Sequence, residues 1–274
     1  MELYEVYKQI IGEIKNNIDC YNDDDIDFIL QNDDDIFDTV SSTAQAVPTP
    51  PATRQAPLQG GELSSVAIPL ELSEDKEDKE SKLYKINKQV ESCKKCSLYK
   101  TRNNTVFGDG NLDADIMFIG EGPGGNEDLT GKPFVGEAGK LLVKIIENVM
   151  KLKREDVYMA NIVKCRPPGN RNPNNLEVSA CIGYLHRQIK IIKPKIIVPL
   201  GTVALSTLLP QHRSIIKSRG RDMKLALSKE DIYDVIPTYH PAYLLRGDKS
   251  EVNKKKREVW EDIIKIMKKL NLPI

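Results

Sequence analysis

The chain has 274 residues, of which 40% are hydrophobic and 6% aromatic, and its formal net charge at pH 7 is zero. This length and composition fit one sizeable domain or two small ones and exclude a fibrous protein. No run approaches the roughly 18 unbroken apolar residues of a membrane span, and the first ten residues have neither a basic segment nor an apolar signal core. We therefore expect a cytoplasmic protein.

The zero net charge hides two oppositely charged parts. Residues 1–80 contain 5 Lys/Arg and 19 Asp/Glu, whereas residues 81–274 contain 35 and 21, so the parts carry net charges of −14 and +14. A basic body with an acidic arm is typical of a domain that binds a polyanion and has a separate interaction arm. Ordinary solvated surfaces are the alternative explanation of the same charge count.

The N-terminal region reads as an extension of the folded domain. Helical spacing of apolar residues in the first twenty positions indicates a short amphipathic helix. From about Tyr21 to Ser81 the chain is rich in Asp, Ser, Pro and Glu, which predicts disorder. Two copies of Asp-Asp-Asp-Ile in this stretch are either docking motifs for a partner protein or part of a solvated arm. We therefore divide the chain into an acidic, mostly disordered extension over residues 1–83 and a folded domain over residues 84–274.

After Ser81 the sequence alternates between short apolar runs and amphipathic segments. The predicted strands are Ile116 to Ile119, Val157 to Val163, Lys195 to Leu200 and Ile232 to Pro237. The predicted helices are Glu137 to Met150, one that opens at Asn172-Pro173, Val203 to Leu208 and Val259 to Leu270. This alternation predicts an α/β fold with a short parallel central sheet, helices on both faces, and ligands at the carboxyl ends of the strands.

The first predicted strand runs into a glycine-rich turn, GEGPGG, at Gly120 to Gly125. Because glycine lets a ligand approach the backbone closely, the turn is a candidate binding site, although it matches neither a dinucleotide fingerprint nor a phosphate-binding loop. Glu121 in this turn is a candidate for orienting water or stabilising positive charge. A hydrogen bond within the turn is the alternative role for this glutamate.

Four of the five cysteines form a pattern typical of a metal site, with Cys93 and Cys96 as a close pair followed by Cys165 and Cys181. Four thiolates at such spacing bind either zinc or an iron-sulfur cluster, and the spacing does not distinguish them. Either metal would tie the segment before the sheet to the loop and helix after the second strand. We therefore predict a mainly structural metal site, with electron transfer as the lesser alternative.

The segment PTYHPAYLLR, from Pro237 to Arg246, follows the last predicted strand. His240 suits a site that stabilises a negative leaving group, and the apolar residues and arginine after it suit a loop that presses into a duplex. His186, on a predicted helix, and His212, in a predicted loop, are more typical of packing or surface positions.

Four segments together resemble the motifs of family 4 uracil-DNA glycosylases. They are GEGPGG at Gly120, GKPFVGEAG at Gly131, NIVKCRPPGNRNP at Asn161 and PTYHPAYLLR at Pro237. The cysteine pattern is similar to theirs as well, and the resemblance covers residues 84–274 but not the acidic extension. It implies a three-layer α/β/α sandwich and a [4Fe-4S] cluster bound by Cys93, Cys96, Cys165 and Cys181.

The resemblance also implies an activity, which is to flip uracil out of DNA and hydrolyse its N-glycosidic bond without a lyase step. Glu121 and His240 are the implied catalytic residues: Glu121 positions water or stabilises the sugar cation, and His240 hydrogen-bonds the negative charge at O2 of the base. Leu244, Leu245 or Arg246 would fill the gap that the flipped base leaves in the DNA stack.

The implied substrate-binding residues are Gly122, Glu127, Phe134 and Asn161. Phe134 would stack on uracil, and the Asn161 amide would read its O4 and N3 edge, a pattern opposite to that of cytosine. Glu127 is the candidate for crowding the position of the thymine methyl group. Without the resemblance, Phe134 would be interpreted as a packing residue and Asn161 as a hydrogen-bonding residue at a strand end.

Three other functions compete with this interpretation. A non-catalytic uracil- or DNA-binding protein would share the fold, and a related branch binds uracil-DNA covalently through a histidine in an inserted basic loop, but Leu208 to Gly220 shows no long insertion. An iron-sulfur redox protein would leave Asn161 and His240 without a role. We expect a monomer that binds uracil-containing DNA, with a protein partner as one possible role of the acidic extension.

Overall fold

The computed structural model of the protein describes residues 74–273. The predicted N-terminal helix, the Asp-Asp-Asp-Ile motifs and the disorder predicted up to residue 73 lie outside the described residues.

Within residues 74–273, a six-stranded sheet is flanked by helices and short 3₁₀ turns. The strands are β1 (Asp109–Gly110), β2 (Ile116–Gly120), β3 (Tyr158–Asn161), β4 (Ile196–Pro199), β5 (Met223–Ala226) and β6 (Ile232–Val235). The helices are α1 (Glu74–Glu91), α2 (Gly125–Thr130), α3 (Glu137–Asn148), α4 (Asn175–Ile192), α5 (Gly201–Leu208), α6 (Ile215–Ser218), α7 (Pro241–Leu244) and α8 (Lys249–Lys269). The 3₁₀ turns are Ser97–Lys100, Arg154–Asp156 and Pro168–Asn170. None of the helices in this part of the chain combines the length and the apolar character needed to cross a membrane.

The sheet has the strand order β1-β3-β2-β4-β6-β5. The four inner strands are parallel, as predicted, and the edge strands β1 and β5 run antiparallel to their neighbours. β2 lies between β3 and β4, so the chain crosses from one side of β2 to the other after β3. In such sheets, ligands bind at the carboxyl ends of the strands beside this crossing point.

Alternate residues of β2 enter two separate apolar cores, because successive side chains of a strand point to opposite faces. Met117 and Ile119 belong to the core that includes buried residues of α1 and α4, and Ile116 and Phe118 to the core that includes those of α3 and α8. All four side chains are at most 1% exposed. The three-layer α/β/α sandwich is therefore confirmed.

Helix α1 corrects the predicted extent of disorder, because it begins at Glu74, inside the stretch predicted to be unstructured. Its buried residues recur at helical spacing and are Leu83, Ile86 and Val90. In addition, Nζ of Lys79 donates to Asp113 Oδ1 (2.8 Å) and to the Ile192 carbonyl (3.5 Å) at the end of α4. The charged start of α1 therefore belongs to a helix whose later turns pack in the core.

Two helix starts also differ from the predicted ones. Helix α4 begins after Asn174, whose side chain accepts from the Glu177 backbone N–H (2.9 Å) while Glu177 accepts from the Asn174 N–H (2.9 Å). This capping box, rather than the proline before it, starts the helix. Helix α8 begins at Lys249, well before the predicted Val259, because Asp248 caps it. Its first half has no apolar stripe for periodicity to detect.

The two edge strands were not predicted because they carry almost no apolar pattern. β1 has two residues, and β5 has one buried residue, Leu225, among exposed or half-buried neighbours. Their positions are determined by pairing with β3 and β6.

Candidate active site

A cleft opens at the carboxyl end of the sheet, where the loops after β2, β3 and β6 meet. Gly120 at the end of β2 is the register partner of Asn161 at the end of β3. Beyond β6, Thr238 pairs with Leu200 in a parallel bridge, which brings the following loop to the same edge. The six residues predicted to be catalytic or substrate-binding all line this cleft: Glu121, Gly122, Glu127, Phe134, Asn161 and His240.

Gly120 makes room for the inner end of the cleft. A Cβ at Gly120 would lie 2.4 Å from Asn161 Oδ1 and 2.8 Å from Phe134 Cζ, closer than real Cβ contacts allow. The side chains of Asn161 and Phe134 thus converge on one point above the end of β2. At the rim, Gly122 has a similar constraint, because a Cβ there would lie 2.8 Å from Val163 Cγ2.

Phe134 adopts a backbone conformation that is unusual for a bulky residue, with φ at 56°. Its backbone packs against Gly139, where a Cβ would lie 2.1 Å from both the carbonyl carbon and the carbonyl oxygen of Phe134. The side chain is buried. Strained conformations persist only where the surroundings hold them, so the backbone at Phe134 is held in place and its side chain lines the cleft.

The carboxylate of Glu127 holds the loop that carries Phe134. Its Oε1 accepts from the backbone N–H groups of Val135 (2.9 Å) and Gly136 (2.7 Å), and its Oε2 accepts from that of Gly124 (3.1 Å). The glutamate therefore joins the glycine-rich turn to the Phe134 loop. Contact between Glu127 and the base stays a prediction, and the observed contacts add a structural role that the sequence pattern did not indicate.

Replacing Glu127 by alanine is expected to lower the free energy of unfolding by about 1–3 kcal/mol, because three backbone N–H groups lose their acceptor. Urea denaturation measures this change. Glu127→Gln is the matched control, since its remaining oxygen can still accept from Val135 and Gly136 and only the bond from Gly124 is lost. Equal losses of unfolding free energy in the two variants would contradict the role of Glu127 in joining the glycine-rich turn to the Phe134 loop.

The side-chain amide of Asn161 faces the cleft without a protein partner. Asn161 is only 3% exposed, yet no group within residues 74–273 hydrogen-bonds its side-chain amide. Its backbone carbonyl, in contrast, accepts from Nζ of Lys164 (2.9 Å). Because the amide lines the cleft and makes no hydrogen bond within the described residues, it is available to a ligand that supplies a donor and an acceptor.

Glu121 directly follows β2 and is half-buried at the side of the cleft. In the described part of the chain, neither a cation nor a hydrogen-bond donor contacts its carboxylate, and burial raises the pKa of the group above its usual value. A carboxylate without a protein partner in a partly dry cleft can orient water or stabilise positive charge.

His240 is the N-cap of α7, and its Nδ1 accepts from the backbone N–H of Ala242 (3.2 Å). A neutral ring therefore carries its proton on Nε2. Burial, together with the charge of Arg246, lowers the pKa of His240 to about 4. At neutral pH the imidazole is thus an uncharged donor at the cleft.

The loop after His240 carries the three residues predicted to fill the DNA stack, and they differ in exposure. Leu244 is 3% exposed, and its side chain packs in the core that contains α3 and α8. Leu245 is 54% exposed, and Arg246 is exposed at the edge of the cleft. Of the three candidates for filling the stack, only Leu245 and Arg246 are accessible in this conformation.

The four predicted metal ligands line a second cavity, between α1, α4 and the loop after β3. Cys165 and Cys181 are buried, and Cys93 and Cys96 are half-buried. Arg102 donates to Cys165 Sγ (3.1 Å), and the backbone N–H of Lys164 donates to Cys181 Sγ (3.3 Å). The structure therefore brings together all four cysteines that the sequence selected.

The cysteine cavity is the candidate metal site of the described residues. Within residues 74–273, no three Cys, His, Asp or Glu side chains converge at the distances that a single metal ion requires. Burial raises the pKa of the Cys181 thiol to about 11 and also raises that of Cys165. Because cysteine binds metals as thiolate, binding of a metal here would release protons from these thiols.

Comparisons with known proteins show the family to which this chain belongs. The sequence model of the uracil DNA glycosylase superfamily matches residues 107–264. The chain is 47% identical over 181 residues to a type-4 uracil-DNA glycosylase of Thermotoga maritima, covering 66% of this chain and 90% of that protein. It belongs to the uracil-DNA glycosylase superfamily, type 4. The chain is also similar to two other type-4 uracil-DNA glycosylases. It is 45% identical over 190 residues to that of Sulfurisphaera tokodaii, covering 68% of this chain and 83% of that protein. It is 49% identical over 161 residues to that of Saccharolobus solfataricus, covering 57% of this chain and 74% of that protein.

Membership in the superfamily confirms the resemblance inferred from the motifs. The matched range, residues 107–264, contains the whole cleft and the ligands Cys165 and Cys181, but it begins after Cys93 and Cys96. The first cysteine pair thus lies in a segment outside the superfamily match, and its place beside the other pair is seen from the structure.

The sequence interpretation missed an ion pair that shapes the loop between Cys165 and Cys181. Glu177 has a side chain only 2% exposed and accepts from Arg171 at both oxygens (2.7 and 2.9 Å) and from Ser97 Oγ (3.2 Å). The Arg171 contact, the largest cause, lowers the pKa of Glu177 to about 2. The spacing of Asn174 and Glu177 is a capping-box signal that could have identified this residue.

Proposed function

We propose that this member of the superfamily excises uracil from DNA by hydrolysing the bond between N1 of the base and C1′ of the sugar, which leaves an abasic site. The observation that carries the proposal is the unpartnered amide of Asn161 beside the ring of Phe134. An amide can donate to O4 and accept from N3–H of uracil, whereas cytosine presents the opposite pattern. A flipped base would stack on Phe134 while Asn161 reads this edge.

His240 would stabilise the leaving group. When the N-glycosidic bond breaks, its electron pair stays with the base, and negative charge spreads to O2. A neutral imidazole with its proton on Nε2 can donate a hydrogen bond to O2 without giving up the proton. The contact between Ala242 N–H and Nδ1 supports this role, because it leaves Nε2 as the protonated nitrogen.

Glu121 would act on the sugar side of the bond. As C1′ loses the base it develops positive charge, which a nearby carboxylate stabilises, and the same carboxylate can orient the water whose oxygen bonds to C1′. The absence of a bound cation or donor at Glu121, within residues 74–273, supports its availability for this chemistry. Leu245 and Arg246 would fill the gap in the base stack.

The four cysteines would hold a [4Fe-4S] cluster. Their convergence on one cavity supports a bound metal group, and the resemblance to the family favours the cluster over a lone zinc ion. When bound, the cluster would supply a rigid tie between the end of α1, the loop after β3 and α4. Iron, zinc and acid-labile sulfide measured on anaerobically purified protein distinguish the two metals.

The proposed activity is tested by single-turnover cleavage of an oligonucleotide that contains one uracil, with free uracil measured directly. Release of uracil by the cluster-loaded protein, and none from the same strand with cytosine, would support the proposal. Binding without base release would favour a non-catalytic uracil-binding protein, and a covalent adduct would favour the covalent branch of the superfamily.

The pH profile of the cleavage rate should separate the two catalytic groups. Glu121 acts as a carboxylate with a raised pKa, so the rate falls as the pH drops through that raised value. His240 acts as the neutral ring with a pKa of about 4, so no change in rate occurs at the ordinary histidine value of 6.5. In Glu121→Gln the rate should be low at every pH, and the fall at the raised glutamate pKa should disappear, which leaves only a fall near pH 4 where His240 gains a proton. A histidine-like transition near pH 6.5 that vanishes in His240→Gln would contradict this assignment.

A further inference from the structure

Lys164 is a buried lysine without an acidic partner. The residue is only 1% exposed, and within residues 74–273 no carboxylate lies at ion-pair distance from its ammonium group. A charged side chain in such a position is strongly disfavoured unless some other group balances its charge. The surroundings of Lys164 should therefore contain a source of negative charge.

Lys164 contacts both of the sites described above, through its ammonium group on one side and its backbone on the other. On one side, Nζ donates to the backbone carbonyl of Asn161 (2.9 Å), the only hydrogen bond that this ammonium makes within residues 74–273. On the other side, the residue lines the cysteine cavity, and its backbone N–H donates to Cys181 Sγ (3.3 Å). The ring of Phe107 lies 6.0 Å from Nζ and closes the apolar surroundings.

The cysteine cavity is the candidate source of the balancing charge. Four thiolates carry four negative charges, and a bound cluster with fewer positive charges leaves the group negative overall. In a low-dielectric interior, that charge attracts a nearby ammonium much more strongly than it would in water. The attraction holds Lys164 in place, and Lys164 in turn holds the backbone at Asn161.

We propose that Lys164 is a positioning residue that joins the metal site to base recognition: it is held by the charge of the metal-loaded cysteines, and it aligns Asn161 for reading uracil. The proposal rests on the function proposed above and adds a residue to it. The effect on recognition acts through the Asn161 carbonyl, because Lys164 lines the cysteine cavity and not the uracil cleft.

Lys164→Met tests the proposal because it keeps a similar chain length and removes the charge and the hydrogen bond. Two quantities are measured on protein whose iron and sulfide contents match those of the wild type. The first is the midpoint potential of the cluster. The second is the preference for an uncleavable 2′-fluoro-deoxyuridine oligonucleotide over its 2′-fluoro-deoxycytidine counterpart. We expect the potential to become more negative and the uracil preference to fall about 10-fold.

Lys95→Met is the matched control. Lys95 also lines the cysteine cavity, but it is exposed and is not among the residues that line the cleft. Its ammonium lies 5.0 Å from the ring centroid of Tyr184. Its removal should shift the potential less and leave the uracil preference unchanged. Lys164→Gln, which keeps a donor without the charge, should shift the potential like Lys164→Met and recover part of the uracil preference.

The outcomes separate this proposal from the proposed function. A wild-type protein without uracil preference overturns both. A wild-type preference that persists in Lys164→Met, or that falls equally in Lys95→Met, overturns only the role of Lys164. If Lys164→Met does not fold, Lys164→Gln provides the test instead. An unchanged midpoint potential of the cluster in that variant overturns the proposal.

Discussion

Replacing Asn161 with alanine is expected to slow single-turnover release of uracil about 100- to 1000-fold, because the base loses two hydrogen bonds of about 1–3 kcal/mol each. The stability of the fold should stay the same or rise slightly. The side-chain amide of Asn161 has no hydrogen-bond partner within residues 74–273, so its removal breaks no bond in the described part of the protein. Rapid-quench kinetics and thermal unfolding of the same preparation measure the two effects.

Asn87→Ala is the control for this prediction. Asn87 is half-buried on α1, and its side chain bonds only the neighbouring Glu91 side chain (3.2 Å) within the described residues. Its replacement should change neither rate nor stability beyond about 0.5 kcal/mol. A rate for Asn161→Ala within a few-fold of the wild type would show that this amide does not read the base.

Gly120→Ala is expected to lower the cleavage rate about 100-fold or more with an intact fold. The added Cβ would lie 2.4 Å from Asn161 Oδ1 and 2.8 Å from Phe134 Cζ, so the two recognition side chains must move apart. A displacement of about 1 Å at a reacting site is enough for a loss of this size. Circular dichroism and the cluster absorbance should match those of the wild type.

Gly183→Ala is the matched control, because it adds the same methyl group in helix α4 where nothing lies within 4 Å. Alanine in a helix interior is about 0.5–1 kcal/mol more favourable than glycine, so this variant should be slightly more stable and fully active. If Gly120→Ala released uracil at the wild-type rate, the side chains of Asn161 and Phe134 could move to accommodate the methyl group without loss of activity.

The central strands were predictable because burial on both faces leaves a visible mark in the chain. Ile116 to Ile119 is a continuous apolar run that ends in glycine, and it forms β2 almost as predicted. The predicted Val157 to Val163 was longer than β3, which ends at Asn161. Ile162 and Val163 still donate to the carbonyls of Gly120 and Glu121, so pairing continues beyond the strand.

The roles of several site residues could not be predicted from local pattern. Glu127 is eight or nine residues from the N–H groups that it binds at Val135 and Gly136, and no periodicity marks such a contact. Leu244 and Leu245 are adjacent and equally apolar, yet one is buried and the other exposed. The short helix α7 decides which of the two faces the core.

By itself, the sequence determined the parallel centre of the sheet, the four cysteines and the motifs that identify the superfamily, because each of these depends on residue types at short spacings along the chain. Only the tertiary structure decided which loops meet at the cleft, the empty space above Gly120 that Asn161 and Phe134 share, and the contact of Lys164 with both sites. These features depend on distances between segments far apart in the chain, and those distances are established only when the two cores pack on either face of the sheet.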